Sequence, residues 1–161
     1  MLNRRNFLKS SIGLAALSSV STFALQAQAS GTFEITKTDA EWRKILSPAS
    51  YQVLRHEDTE RAFTSLLLDE HGEGNFNCAG CDLPLYASKT KFDSRTGWPS
   101  FWEALPDAVA TRTDRTLLFI VRTELHCRRC GGHLGHLFDD GPAPTGKRHC
   151  INGLSLNFEA A

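Results

Sequence analysis

Two C-x-x-C pairs constrain this chain more than any other feature of its sequence. Cys78 and Cys81 form the first pair, and Cys127 and Cys130 form the second. Two residues between the sulfurs let both thiolates turn toward one ion, so two such pairs complete a tetrahedral zinc site with four cysteine ligands. Such a closed site leaves no coordination position for a substrate. The sequence therefore predicts one structural zinc ion per chain, joining segments that are 45 residues apart.

Two other interpretations of these four cysteines stay open at this point. The pairs could be redox-active motifs, or they could form two cross-linking disulfides. A thioredoxin-like redox motif should lie near a βαβ pattern, and the sequence shows none. Gly80 and Gly131 lie where the turns of zinc knuckles often need a positive φ, and we expect that backbone conformation at both.

The start of the chain has the pattern of an export signal. A basic head is followed by the apolar stretch Ile12–Ala24 and then by Ala27-Gln28-Ala29. This order of segments is typical of a secretory leader that is removed on maturation. The Arg4-Arg5 pair and the residues after it resemble the twin-arginine signal, whose pathway carries folded proteins. The apolar stretch is shorter than the ~20 residues of a membrane helix, so we expect no stable membrane insertion.

We therefore expect a twin-arginine-type signal peptide over 1–29 and a single periplasmic domain over 30–161. An ordinary secretory leader is the alternative. The chain has 18 basic and 18 acidic residues, and the leader holds three of the bases and no acid. The domain is therefore mildly acidic, whereas nucleic-acid-binding proteins usually carry a basic face. We expect no nucleic-acid partner, and we expect a monomer.

Local patterns predict two short helices at the start of the domain. Thr38 and Glu41 have the spacing of a capping box, which predicts a helix over 39–46. Pro48 follows a serine and suits the first position of a second helix. The hydrophobic periodicity over residues 60–68 does not decide between a helix and a strand.

The rest of the domain has β character. Residues 117–125 are rich in branched and aromatic side chains, which predicts a strand. Apolar and polar residues alternate over 154–158, which predicts a half-buried strand. Loops rich in Gly, Pro and Asp separate such segments. The sequence predicts a mainly β fold with short N-terminal helices.

Cys150 is left as a single free thiol once the other four cysteines hold a metal. A thiol has an ordinary pKa of about 8.5, and only the thiolate is a good nucleophile. On an extended chain Arg148 and Asn152 share a face with Cys150, and His149 points away. The arginine favours the thiolate by its charge. These neighbours favour a reactive cysteine over the alternative, a buried core cysteine.

Two histidines, His133 and His136, lie in a glycine-rich segment that also contains Asp139 and Asp140. Metal ligands, solvated loop residues and proton donors are all possible roles for them. Because four cysteines already satisfy a zinc ion, metal ligation is the less favoured role. A histidine with a carboxylate partner is a suitable proton donor near neutral pH.

A loop over 96–102 carries three large aromatic residues. Core packing would explain them. The functional alternative is an exposed aromatic floor that receives an apolar group. On that hypothesis we assign Trp98 and Phe101 to substrate binding.

From about Trp42 to Phe158 the sequence resembles the B-type peptide-methionine (R)-S-oxide reductases. The specific parts are the two knuckles, GWPSF at 97–101, HLGHLFDDGP at 133–142 and RHCINGLSLNF at 148–158. They occur together and in the order of the family. The resemblance implies a mainly β fold of two antiparallel sheets with short N-terminal helices and a structural zinc site of four cysteines.

The resemblance also implies a role for each matching residue. Cys150 matches the nucleophile that attacks the sulfoxide sulfur, and Arg148 matches the residue that helps to stabilise its thiolate. Trp98 matches the residue that lies against the substrate methyl group. The residues implied around the sulfoxide oxygen, directly or through water, are His133, His136, Asp140 and Asn152.

The implied reaction is thiol-dependent reduction of methionine R-sulfoxide, free or protein-bound, through a sulfenic acid on Cys150. Repair of oxidised exported proteins is the expected task. Many members of the family carry a recycling cysteine immediately before GWPSF, and this chain has Thr96 there. We therefore expect an external thiol reductant, such as a thioredoxin-like protein. A non-enzymatic zinc-binding module and a thiol–disulfide oxidoreductase are the alternative functions.

Overall fold

The computed structural model describes residues 33–115 and 120–161. The predicted signal peptide over 1–29 lies outside the described residues. Within the described part of the chain, no helix combines the length and the apolar character that crossing a membrane requires.

The two predicted helices are present. Helix α1 covers Asp39–Ile45 and helix α2 covers Pro48–His56. The side chain of Thr38 accepts from the backbone N–H of Glu41, whose carboxylate accepts from the backbone N–H of Thr38 at 2.7 Å. The capping box thus satisfies two N–H groups at the start of α1. Pro48 occupies the first turn of α2, where a missing N–H costs nothing.

The described residues form two antiparallel sheets, which confirms the predicted fold class. One sheet has three strands in the order β2-β1-β9, and the other has six in the order β3-β4-β8-β7-β6-β5. In chain order the strands are β1 (Gly74–Cys78), β2 (Pro84–Ala87), β3 (Lys91–Phe92), β4 (Ser100–Phe101), β5 (Val109–Asp114), β6 (Arg122–Cys127), β7 (His133–Phe138), β8 (Arg148–Ile151) and β9 (Leu156–Ala160).

The predicted strand boundaries differ from the observed ones. Strand β6 begins at Arg122, and residues 117–119 of the predicted strand lie outside the described residues. The alternating segment over 154–158 becomes a strand only at Leu156, because a 3-10 turn covers Gly153–Ser155. The carboxylate of Glu60 accepts from the backbone N–H groups at this turn, so these groups are not free to pair in a sheet.

The core between the sheets supports the strand that carries Cys150. Phe101 on β4 is fully buried, stacks on Tyr86 of β2 with ring centroids 4.3 Å apart, and meets Phe76 of β1 at 5.0 Å. Burying a side chain of this size contributes about 1.5–3 kcal/mol. Aromatic contacts therefore join the two sheets at β4, the strand that pairs with β8.

Strand β8 lies inside the six-stranded sheet, paired on both sides. Cys150 is opposite Ser100 of β4 and opposite His136 of β7. Side chains alternate along a strand, so His149 points to the other face, where its Nδ1 lies 3.2 Å from the hydroxyl of Tyr86. Burial lowers the pKa of His149 to about 4. The register therefore places an imidazole, His136, beside the thiol and leaves His149 neutral on the far side.

Candidate active site and metal cluster

The four cysteines of the two knuckles come together in one cluster. Their sulfur atoms all lie within 4.8 Å of one another. The Sγ atoms of Cys78 and Cys130 are 3.7 Å apart, and those of Cys81 and Cys127 are 3.5 Å apart. Four thiolates around an ion at ~2.3 Å would be about 3.8 Å apart, whereas a disulfide needs ~2.05 Å. The cluster therefore has the donor set and the spacing to hold a metal ion.

The cluster lies where both sheets meet the N-terminal helices. Cys78 ends β1 of the small sheet, and Cys127 ends β6 of the large one. Helix α2 packs closely against the second knuckle. A Cβ on Gly132 would lie 2.7 Å from Leu54 of α2. An ion in the cluster would therefore hold the sheets and α2 together.

The expected backbone conformation of the knuckles is confirmed in one and wrong in the other. Gly131, which follows the second knuckle, has φ +68°. In the first knuckle the left-handed residue is Asp82, with φ +56°, and Gly80 is not left-handed. Both left-handed residues directly follow the second cysteine of their pair. A short polar side chain such as that of aspartate tolerates this conformation, so glycine is not obligatory there.

Cys150 lies apart from the cluster, at the wall of a cavity of about 120 Å³. The thiol is half-buried. Of the residues expected around it, the structure brings Trp98, His136 and Asn152 to the same cavity. The other residues that line the cavity are Thr59, Arg122, Gly135 and Phe138.

The surroundings of Cys150 act on its ionisation in opposite directions. Burial is the largest effect and raises the pKa of the thiol. The charge of Arg148 and hydrogen bonds from Thr96 and Arg148 lower that pKa, but they do not overcome burial. The expectation that Arg148 favours the thiolate is right in direction. Thr96, the residue in the position of the recycling cysteine, is therefore near enough to affect the thiol.

Arg148 joins Cys150 to Asp140. Its guanidinium donates two hydrogen bonds to the carboxylate, at 2.8 and 2.9 Å, and lies over the ring of Phe138 at 4.3 Å. The hydrogen bond from Arg148 lowers the pKa of Asp140. Asp140 is exposed and does not line the cavity. Asp140 orients the arginine, and its own charge raises the pKa of the Cys150 thiol.

The two histidines hold different positions in the site. His136 borders the cavity, and its Nε2 lies 2.9 Å from the carboxylate of Asp114. Burial lowers the pKa of His136. His133 is buried behind it, with Nδ1 at 2.6 Å from Glu124 and the two imidazole rings 5.4 Å apart. The structure thus places His136 beside the thiol and His133 one layer further away.

The Nε2 atom of His133 has no hydrogen-bond partner within the described part of the chain. It lies beside a second cavity, of about 150 Å³, that His136 and Arg122 also line. The carboxylate of Glu124 that holds His133 is itself paired with Arg112. Carboxylates that are themselves paired with arginines therefore hold both imidazoles.

The remaining predicted site residues divide between cavity and core. The indole N–H of Trp98 donates to the backbone oxygen of Glu60 at 3.1 Å. The amide of Asn152 accepts from the backbone N–H of Glu60 at 3.0 Å and donates to the Leu134 oxygen at 3.1 Å. Phe101 has no exposed surface and does not line the cavity. It packs in the core beneath the site.

Sequence analysis missed several residues that shape the cavity. Thr59 and Arg122 border it, and Glu60 holds two of its walls. Arg122 lies within the strand predicted over 117–125, where no local pattern marks it as a site residue. Phe138 lies inside the HLGHLFDDGP segment, so that motif contained a signal for it.

Comparison with known proteins agrees with this geometry. Residues 46–160 match the SelR domain. The peptide methionine sulfoxide reductase MsrB of Thiobacillus denitrificans is 58% identical over 123 residues, which cover 76% of this chain and 92% of the relative. The protein of the same name from Agrobacterium fabrum is 50% identical over 127 residues, covering 78% and 93%. That of Methanosarcina barkeri is 48% identical over 125 residues, covering 78% and 88%.

These matches define the protein as an oxidoreductase. More narrowly, the chain belongs to the family of B-type peptide methionine sulfoxide reductases.

Proposed function

We propose that this protein reduces the R epimer of methionine sulfoxide, free or in polypeptides, to methionine, with Cys150 as the nucleophile. Membership of the family supports methionine sulfoxide reduction. The observation that carries the role of Cys150 is its position. It is the only one of the five cysteines outside the cluster, and it shares a cavity with Trp98 and His136.

The reaction is a two-electron transfer from the thiol to the sulfoxide. The oxygen of the sulfoxide is protonated, and the sulfur of Cys150 attacks the sulfoxide sulfur. The products are methionine and a sulfenic acid on Cys150, so the oxygen passes from one sulfur to the other. Because burial raises the pKa of Cys150, the resting thiol keeps its proton and brings it to the reaction. His136, beside it, is placed to pass that proton to the oxygen.

The other residues of the site orient the reactants. Trp98 offers an indole face for the methyl group of the substrate. Asn152 offers an amide donor to the oxygen. Arg148 and Thr96 stabilise the thiolate as the proton leaves, since both contact the sulfur. Asp140 acts through Arg148, and His133 acts through His136.

Regeneration requires an external thiol. A first thiol attacks the sulfenic acid, releases water and forms a mixed disulfide with Cys150, and a second thiol then frees the cysteine. Thr96 lies against Cys150 but has no sulfur to take the first step. The other four cysteines are clustered together, away from the cavity. A thioredoxin-like protein or a small dithiol would supply both electrons.

We propose zinc as the metal of the cluster. Four cysteine thiolates at tetrahedral spacing form a donor set that zinc favours, and they leave no position for substrate. The metal would be structural. The leader sequence supports export by the twin-arginine route, and with it repair of oxidised methionine in periplasmic proteins. We propose that the enzyme acts as a monomer.

Turnover of the separate R and S epimers by the purified protein, with a small dithiol as reductant, tests this function. Only the R epimer should be reduced. In a second experiment, one equivalent of the R epimer is added without reductant, followed by dimedone. Mass spectrometry should then find the dimedone adduct on Cys150 and one metal ion still bound. A disulfide to a knuckle cysteine with loss of the metal would contradict the separation of the cysteines into two groups.

A further inference from the structure

Glu60 is a buried acid in the irregular segment after α2. Only 8% of its surface is exposed. Its carboxylate accepts from the backbone N–H of Gly153 and, at 3.2 Å, from that of Leu154. No cation from the described residues forms an ion pair with it. The carboxylate is therefore held by the turn that begins two residues after Ile151 on β8.

The main chain of Glu60 contacts two side chains on the walls of the Cys150 cavity. Its N–H donates to Oδ1 of Asn152 at 3.0 Å. Its carbonyl oxygen accepts from the indole N–H of Trp98 at 3.1 Å. Trp98 and Asn152 belong to segments more than fifty residues apart in sequence. One residue thus links both walls, and its own side chain fixes it to the chain just beyond the nucleophile.

The energetics of this arrangement are unusual for a residue that only fills space. Burial is the largest influence on the Glu60 carboxyl and raises its pKa, while the hydrogen bonds from Gly153 and Leu154 oppose it. Burying an acid without a cation is costly, and an apolar residue would fill the same space at a lower cost. The turn is also closely packed at this point, because a Cβ on Gly153 would lie 1.9 Å from Oγ of Ser65 and 3.3 Å from Oε1 of Glu60.

We propose that Glu60 is a positioning residue for sulfoxide reduction, which sets Trp98 and Asn152 relative to Cys150. This inference rests on the proposed function. The Glu60 N–H selects the oxygen of the Asn152 amide, so the amide nitrogen is the donor. One of its N–H groups goes to Leu134, and the other is left for the oxygen of the substrate. The Glu60 carbonyl fixes the edge of the indole whose face receives the methyl group.

Glu60→Gln tests this directly. The glutamine amide has only one oxygen to accept hydrogen bonds. Its NH2 group would face one of the two backbone N–H groups, and the repulsion between these donors should displace residue 60. We expect KM for the R epimer of a blocked methionine sulfoxide to rise about tenfold, with kcat within about threefold of wild type, because misplaced walls weaken binding of the substrate. Discrimination against the S epimer should fall as well.

A double-mutant cycle with Trp98→Phe separates positioning from general support of the fold. The phenyl ring keeps an aromatic face but has no N–H for the Glu60 oxygen. Residues that act as a unit give non-additive effects. Trp98→Phe alone should raise KM, and Glu60→Gln should raise KM less in that background than in wild type. An equal factor in both backgrounds would overturn the proposal.

Thr90→Val is the matched control. Thr90 is buried, its hydroxyl lies 2.9 Å from the backbone oxygens of both Ala87 and Glu103 and shares its proton between them, and it does not line the Cys150 cavity. The Thr90→Val substitution should lower the unfolding temperature and leave KM and epimer discrimination unchanged. The same KM rise in this variant would mean that any loss of stability disturbs the site, and the proposal would fail. Wild-type protein inactive on both epimers would refute the proposed function instead.

Discussion

The two groups of cysteines in this domain have opposite surroundings. In the cluster the nearest neighbours of each sulfur are other sulfurs, whereas Cys150 has a hydroxyl and a guanidinium beside it. The contact with Cys127 raises the pKa of the Cys78 and Cys130 thiols, so the cluster resists full ionisation unless a cation is present. At Cys150 burial raises the pKa, and Arg148 opposes it. Crowded thiols thus favour a metal, while an isolated one is available for chemistry.

The largest expected effect is on the cluster side of this comparison. Cys127→Ser should release the metal and unfold the domain, since metal binding contributes ~10–16 kcal/mol in small zinc peptides and a whole domain has only about 5–15 kcal/mol of stability. Metal content and thermal unfolding, measured on the same sample, check this. A folded, metal-free variant with full turnover would show that the cluster is not structural.

Cys150→Ser should have the complementary effect. A hydroxyl is a far weaker nucleophile than a thiol, so sulfoxide turnover should fall by roughly 10³-fold or more. The unfolding temperature and the metal content should stay at wild-type values, because Cys150 lies outside the cluster. Steady-state kinetics and metal analysis measure the two properties separately. Turnover close to wild type would rule out Cys150 as the nucleophile.

Removing the charge beside Cys150 should change the reactivity of the thiol by a smaller factor. Arg148 lowers the pKa of that thiol, so Arg148→Met should raise it further. One unit of pKa corresponds to about a tenfold smaller thiolate fraction at neutral pH. The rate of alkylation by iodoacetamide, followed from pH 7 to 10.5, should therefore fall at pH 7.5, by a factor that measures the shift in pKa, and reach its plateau at higher pH.

Arg43→Met is the control for that experiment, because Arg43 is exposed on α1 and pairs with Asp39. It should leave the alkylation profile unchanged. In wild type the rate should still be rising at pH values where a free cysteine has levelled off, because burial raises the pKa of Cys150. A wild-type midpoint at or below that of a free cysteine would contradict the dominance of burial over charge.

The smallest expected effect on turnover comes from Thr96→Cys. The Thr96 side chain is near enough to lower the pKa of the Cys150 thiol, so a sulfur there should reach the sulfenic acid and form a disulfide. After one equivalent of sulfoxide, mass spectrometry should show this disulfide in place of the dimedone adduct. With a small dithiol as reductant, turnover should stay within about threefold of wild type. Persistence of the adduct would show that the two side chains do not meet during the reaction.

The parts of the fold that the sequence predicts well have local causes. The capping box at Thr38 and the proline at position 48 act within one helical turn, and both helices are present. The knuckle spacing is also local, because it brings two sulfurs together within four residues. Even the distant pairing of the knuckles follows from chemistry, since a metal requires four donors.

The parts that the sequence predicts poorly depend on distant contacts. Phe101 lies in a motif together with Trp98, yet β4 turns its side chain into the core while Trp98 borders the cavity. His133 and His136 are equivalent in the motif, and only the sheet register separates them. Glu60 has no local signal at all, because its partners are up to 94 residues away.

The knuckles also make the segment between them a closed loop. The 45 residues between Cys81 and Cys127 include Thr96 and Trp98, while Cys150 lies outside. A crosslink at the ends of such a loop lowers the conformational entropy of the unfolded chain, which raises its free energy by about 4 kcal/mol. A bound metal would therefore restrict the displacement of the segment that carries Trp98 when the domain partly unfolds. The closed loop thus contains the Trp98 wall of the cavity, whereas the strand that carries Cys150 lies outside it.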